Sequence, residues 1–501
     1  MTATAFETIV VGAGSAGAVL AARLSADPDR RVLLLEAGPD FAAQEHAPPQ
    51  ILDARQPTVD FDWQFESQGN ADHGARSLPR AKLVGGCSAT NATFALRGSP
   101  TDYDGWAAMG NDGWSFDEVL PFFCSLETDL DFDDAWHGRA GPIPIARASL
   151  DSLQDHQCAA LESAWSLGHN RVPDHNQPGM CGAGPLPRNA VDGVRISTAL
   201  AYLDPLRTRS NLTVRADTLT DRILLDGARA RGVVLAGGAE ISADRVVLAA
   251  GAYGSPAILL RSGIGPATDL AALGISAVSD LPGVGAALID HPTFSVNMAA
   301  APCPDGNWFE TIITWRSSHA GSDPYDMHTV PGGPIPVGPD ESPTGAIFFL
   351  FSSVMRPRSR GSVKLSSAEP TIAPVIRTGD VDHPDDLARM VEAVRYMREM
   401  FRTAPLRDLV HGEELAPGKD VRTDKQLEAA IRAGVAVYHH ACGTCPMGPD
   451  ADRGAVVDAT GRVHGTDNLF VADASIIPAI PAANTNLPTI MVADRIAHLI
   501  R

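Results

Sequence analysis

Phe6 to Val11 form a short apolar, β-branched run that predicts a buried strand. Gly12-Ala13-Gly14-Ser15-Ala16-Gly17 follows, and Ala18 to Leu24 continue with helical spacing. A second buried strand is predicted at Arg31 to Leu35. Near the other end, Leu469 to Val471 read as one more buried strand and Thr489 to Ile500 as an amphipathic helix. In the middle, Thr311 to Trp315, Ala346 to Met355 and Ser362 to Leu365 are strand-rich, and Asp385 to Arg402 carry a helical pattern. That succession suits an antiparallel sheet backed by helices. The Pro- and Gly-rich stretch Thr329 to Pro343 reads as a long loop, a candidate lid. No internal repeat or low-complexity tract is present.

Strand, glycine-rich turn and helix together predict a dinucleotide site. The glycines permit a tight turn and let backbone approach a pyrophosphate. The helix N-terminus then offers free N–H groups and a favourable dipole to that anion. Glu36 ends the second strand, about 20 residues past the glycines, where a carboxylate accepts hydrogen bonds from ribose hydroxyls. This fingerprint alone does not separate NAD from FAD.

The bulk properties narrow the partners. A chain of 501 residues exceeds one ordinary core and suggests two domains or one large discontinuous fold. A formal charge of -20 opposes binding to nucleic acid or anionic lipid and fits an enzyme for small neutral or cationic molecules. No uninterrupted apolar run reaches about 18 residues, so no membrane span is expected. The N-terminus lacks a basic segment followed by an apolar one, which predicts no secretory signal and a cytoplasmic location. Seven cysteines at irregular spacing form no disulfide framework.

Five separated segments resemble the glucose–methanol–choline (GMC) oxidoreductases. They are the N-terminal fingerprint ending in Glu36-Ala37-Gly38, the loop from Lys82 to Asn91, the signature from Gly251 to Gly265, the stretch His440 to Gly448, and Asn468 to Ser475 followed by Asn484 to Thr489. The resemblance implies an α/β chain (α+β overall). A Rossmann-like FAD-binding domain would come from residues 1–150, 188–290 and 432–501. A substrate domain, built on the antiparallel sheet, would come from 151–187 and 291–431. The cofactor-binding residues it implies begin with Gly12, Gly14, Ser15, Ala16, Gly17, Glu36 and Ala37. They continue with Val84, Gly85, Ser88, Asn91 and Ala92, and end with Asp473, Ala474, Asn484 and Thr485. Gly85 and Gly86 remove side chains where a flat ring lies on backbone, and Asn91 offers an amide to it. A helix N-terminus after Asn484 would stabilise negative charge on a reduced ring.

By the same resemblance His440 is the catalytic base and Asn484 the second catalytic residue. A small register error would exchange Asn484 with Asn486. Histidine suits proton acceptance because its pKa of about 6.5 lies near neutrality. His439 adjoins His440, and on an extended strand the two would face opposite sides. Cys442 and Cys445 have CxxC spacing but lack a thioredoxin-like context, and zinc ligands crowded into seven residues would lack a second cluster. Neither a redox dithiol nor a metal is therefore expected.

Departures from the family refine the reading. Thr90 replaces the histidine that links FAD covalently in choline oxidases, which predicts non-covalent FAD. Thr293 follows Asp290-His291-Pro292 where those enzymes carry a glutamate, so choline is a doubtful substrate. The chain is shorter than many relatives, which predicts a compact substrate portion with an open entrance. The reading is FAD-dependent oxidation of a small primary or benzylic alcohol, with electrons passing to oxygen or to a quinone-like carrier. Tyr438, where some oxidases have a small aliphatic residue, leans towards the carrier. A flavin-scaffolded lyase or decarboxylase and a non-catalytic flavoprotein are the alternatives.

Overall fold

The computed structural model describes residues 6–303 and 306–501. Residues 1–5, which open the expected FAD-binding part and bear on the expected absence of a leader, lie outside the described residues. Two seven-stranded sheets organise the chain. The first has Phe6–Val11 at its centre, paired in parallel with Val32–Leu35 on one side and Glu240–Leu248 on the other. Leu212–Arg215 extends it beyond Val32–Leu35, and Leu469–Val471 pairs in parallel with Glu240–Leu248. Every residue of Val32–Leu35 and all of Phe6–Val11 beyond its first two residues are buried. That is why these strands read as unbroken apolar runs: parallel sheets are covered on both faces. The Ser15–Leu24 and Asn486–Leu499 helices pack together over this sheet, and both bury most of their surface.

The second sheet is antiparallel, with Val410–Ala416, Pro292–Ala300, Ala346–Val354, Met327–Pro336, Thr311–Trp315 and Ala183–Pro185 in spatial order. Ala436–Val437 pairs with the start of Pro292–Ala300. This short strand lies past residue 432, so the expected domain boundary there falls ahead of a strand that belongs to the second sheet. The Pro384–Arg402 helix backs the sheet, packing against Ala346–Val354 and Pro292–Ala300. Side-chain alternation then divides Ala346–Val354: Phe348 and Leu350 join the helix-side core, leaving Phe349 and Phe351 for the other face.

Two expectations are corrected here. Of the expected loop Thr329 to Pro343, only residues 337–343 are turn and coil, and the first half is strand. Met327–Pro336 is an interior strand between Ala346–Val354 and Thr311–Trp315, and its register shifts between Gly332 and Ile335. The Gly333-Pro334 pair sits in that irregularity, where a missing N–H does not break the ladder. Ser362–Lys364 is a strand, but it pairs with Val375–Arg377 in a separate ribbon instead of joining the large sheet. Among the described residues, no helix is long and apolar enough to cross a membrane.

Candidate active site

One cavity of about 1020 Å³ runs between the two sheets. Its volume lies at the top of the range of about 300–1,000 Å³ for small-molecule sites. At the end bounded by the first sheet, Gly12, Gly14, Ser15, Ala16, Glu36 and Ala37 line the wall. The Ser15–Leu24 helix begins there with no side chain capping its N-terminus, so its first N–H groups face the cavity uncapped. Two glycine loops cross at this point. A Cβ added to Gly86 would lie 2.6 Å from Gly14 Cα, and one on Gly12 would lie 2.5 Å from the Ala249 carbonyl oxygen. Glu36 accepts the N–H of Ala13 at 2.8 Å and of Gly38 at 3.0 Å, which ties the turn to the second strand. Burial pushes its carboxyl up to about 7, against the hydrogen bonds that favour the charged form. An uncapped helix end, a side-chain-free cradle and a buried acceptor at strand end suit the pyrophosphate and ribose of FAD.

At the other end, chain pairing sets the chemistry. Pro292 pairs with Val437, and Ile289 bridges to Cys442. Three steps along one strand thus face five along the other, and the excess bulges out at residues 438–441. His439 absorbs the bend at φ +66, a left-handed conformation uncommon outside glycine. The expected alternation therefore fails, and both His439 and His440 line the cavity. Asp290 fills the gap in the ladder: its Oδ1 accepts the N–H of His291 and of His440, each at 2.8 Å.

His440 is buried with both ring nitrogens engaged. Asn484 Nδ2 lies 3.1 Å from Nε2, and His291 Nδ1 lies 2.8 Å from Nδ1. Burial, reinforced by His291, His439 and Arg80, holds its pKa well below the ordinary value, so the imidazole is neutral. His439 is open to the cavity yet enclosed by its walls, and desolvation lowers it to about 4. Asn484 and Asn486 part company. Asn486 begins the last helix and accepts the Ser15 hydroxyl at 2.8 Å, tying two helix N-termini together. Asn484 alone meets His440.

Four aromatic rings crowd the space beside His440. Tyr438 lies 4.3 Å from the His440 ring between centroids, and Phe351 meets Tyr438 edge-on at 5.0 Å. Phe309 meets Phe351 at 6.0 Å and Phe94 at 5.3 Å. All four line the cavity. Thr293 also lines it, and its hydroxyl donates to the Ser352 carbonyl. Glu341, exposed at the edge, is the one described carboxylate that the second sheet's segments bring to this lining.

Asn91, Ala92, Asp473, Ala474 and Thr485 also reach the cavity wall. Asp473 spends its oxygens on Gly251 N–H, the Ser255 hydroxyl and Ser475 N–H, so it shapes the wall from within. Gly17, Val84, Gly85 and Ser88 stand behind the lining. A Cβ on Gly17 would lie 1.7 Å from the Gly12 carbonyl oxygen, and the Ser88 hydroxyl donates to Gly85 O. Cys442 and Cys445 are buried free thiols whose pKa values burial raises. Glu127, Asp129 and His137 bring ligand atoms within 4.8 Å of one another, but Arg97 and Arg147 already pair with the carboxylates. That grouping is an ion-pair network. Sequence reasoning named the Asp290-His291-Pro292 segment and Tyr438 but gave Asp290 and His291 no role and did not assemble the aromatic wall. Only the phenylalanine-rich run around 348–351 hinted at the last.

Comparisons with known proteins identify the family and the fold. Residues 6–293 and 357–493 match the profiles described as GMC oxidoreductase. The chain is 37% identical over 535 aligned positions to a 5-(hydroxymethyl)furfural oxidase of Methylovorus sp. (strain MP688), covering 100% of this chain and 99% of that protein. It is 34% identical to an oxygen-dependent choline dehydrogenase of Photobacterium profundum, covering 99% of this chain and 93% of that protein. Among solved structures, pyridoxine 4-oxidase from Mesorbium loti superposes with a TM-score of 0.90 at 33% identity, covering 99% of each chain. The chain belongs to the GMC oxidoreductase family, FAD-dependent enzymes that act on CH–OH groups.

Proposed function

We propose that the protein oxidises a small primary aromatic alcohol to its aldehyde, with His440 Nε2 accepting the hydroxyl proton. FAD, when bound, supplies the two-electron acceptor for the hydride that leaves the same carbon. The observation that carries this reading is the meeting of Asn484 Nδ2 and His440 Nε2 at 3.1 Å in the lining of the cavity. A neutral imidazole there accepts a proton, and the Asn484 amide donates to the oxygen as negative charge develops on it. Phe94, Phe309, Phe351 and Tyr438 form a cage suited to a flat ring. His439 offers that ring a polar partner. Choline is a poor fit, because Thr293 is uncharged and Glu341 stands at the exposed edge. FAD is held without a covalent bond, since Thr90 cannot form the histidyl linkage.

Oxygen is the proposed final acceptor, because the furfural and pyridoxine relatives are named oxidases. The seven free cysteines suit a reducing compartment such as the cytoplasm. An anaerobic panel of alcohols tests the reading. Benzylic and furanic alcohols should bleach the bound flavin, and air should restore its colour with release of hydrogen peroxide. An unbleached flavin with turnover of a cyanohydrin would favour the lyase instead. Bleaching that only a quinone reverses would move the enzyme to the dehydrogenases.

A further inference from the structure

His291 is a histidine that the proposed chemistry leaves unused. It is fully buried, and its Nδ1 lies 2.8 Å from Nδ1 of His440 with the two rings nearly perpendicular at 86°. Two unprotonated nitrogens repel at that distance, so one proton lies between them. Its owner decides the chemistry. If His291 owns it, a neutral His440 carries its hydrogen on Nε2 and cannot accept a proton there. If His440 Nδ1 owns it, Nε2 is left with a bare lone pair.

The surroundings choose. The backbone carbonyls of Met355 and Pro481 face His291, and its Nε2 has no partner in good hydrogen-bond geometry. Carbonyls face a nitrogen that carries hydrogen, which leaves Nδ1 as the acceptor of a neutral His291. At the other end of the pair, the Asn484 amide nitrogen points at His440 Nε2, which suits a bare lone pair. Asp290 fixes the spacing by holding both backbone N–H groups on one oxygen.

We infer that His291 is a positioning residue that sets the tautomer of His440: it accepts the Nδ1 hydrogen and keeps Nε2 bare for the substrate. This rests on His440 being the base. The other groups set against the pair are His439, His328, Tyr438, Arg80, Arg356 and Asp290. None places an acceptor on His440 Nδ1. Asparagine at 291 would present an amide oxygen close to the position of the lost Nδ1.

The test is nitrogen NMR of the FAD-loaded enzyme labelled with 15N-histidine, with His440 signals assigned by their loss in His440→Gln. The expected wild-type spectrum has His440 neutral with hydrogen on Nδ1. His291→Ala should move population to the Nε2–H form and slow anaerobic flavin reduction about tenfold or more. His291→Asn should restore both the tautomer and most of the rate. An Nε2–H tautomer in the wild type overturns the inference, whatever the activity. So does an unchanged tautomer in a folded, FAD-loaded His291→Ala. If instead the tautomer behaves as expected while His440→Ala reduces its flavin normally, the assignment of the base fails and the tautomer control stands.

Discussion

Asn484 Nδ2 lies 3.1 Å from His440 Nε2, although 44 residues separate them in the chain. The contact joins the bulge beside the second sheet to the loop that opens the last helix. It also separates Asn484 from Asn486, whose side chain is bound to Ser15. Asn484→Ala should therefore slow anaerobic flavin reduction by about a hundredfold, the effect typical of losing a donor to a developing oxyanion. Asn486→Ala should leave that rate alone and lower stability by about 1 kcal/mol, measured by denaturant unfolding. Equal kinetic effects would remove the distinction.

The flavin should leave the protein intact on acid precipitation, because Thr90 offers no linking imidazole. Colour retained in the washed pellet would contradict this. Glu36→Ala should lose FAD on dialysis more readily than the wild type. It removes the proposed ribose acceptor and also the tie from Ala13 and Gly38 that holds the glycine turn. Full occupancy after extensive dialysis would count against Glu36.

Substrate choice should follow the aromatic cage. Phe351→Ala should raise the KM for a benzylic alcohol several-fold while changing little for ethanol, because truncating one ring removes about 0.5–1.5 kcal/mol of aromatic pairing beyond its buried area. Choline should reduce the flavin more slowly than the benzylic alcohol. Efficient choline turnover would bring Glu341, or another carboxylate, into the substrate site.

Stability should depend on a network remote from the cavity. His137 is buried, with Nδ1 3.0 Å from Asp129 and Nε2 3.0 Å from Asp174. Burial alone would lower its pKa, but the carboxylates of Asp129, Asp174 and Glu127 outweigh that and raise it to about 11. A raised pKa favours the folded state fully below the unfolded value of about 6.5, and the benefit is lost as pH rises towards 11. His137→Gln should cost about 3–5 kcal/mol near pH 6, because Glu127, Asp129 and Asp174 would then face only Arg97 and Arg147, leaving one buried negative charge uncompensated. The gap to wild type should narrow at alkaline pH. A gap that widens with pH would mean that the histidine is neutral in the fold.

Much of this architecture is legible in the chain because its signals are local. Glycines 12 and 14, the apolar strands on either side and Glu36 lie within one βαβ unit, where periodicity and turn chemistry suffice. The Met327–Pro336 strand was hidden because Pro331, Gly332, Gly333 and Pro334 read as loop. It is held by neighbours on both sides and accommodates them at a register shift, which no local pattern reveals. The histidine pair misled for a similar reason. Alternation assumes an extended chain, and the bulge that turns both rings inward comes from pairing with residues 289–292. The His291–His440 contact spans 149 residues and has no sequence signature.

The central claim is that His440 is the base. Stopped-flow anaerobic reduction by one good benzylic alcohol, for wild type and His440→Ala with FAD bound, tests it most directly. Loss of a positioned base should slow reduction by about a hundred- to ten-thousandfold. Burial holds the imidazole well below its ordinary pKa, so the wild-type rate should fall only at pH below about 6.5 and the variant should lack that fall. His440→Ala reducing at the wild-type rate with an unchanged pH profile, while His439→Ala is crippled, would contradict the account.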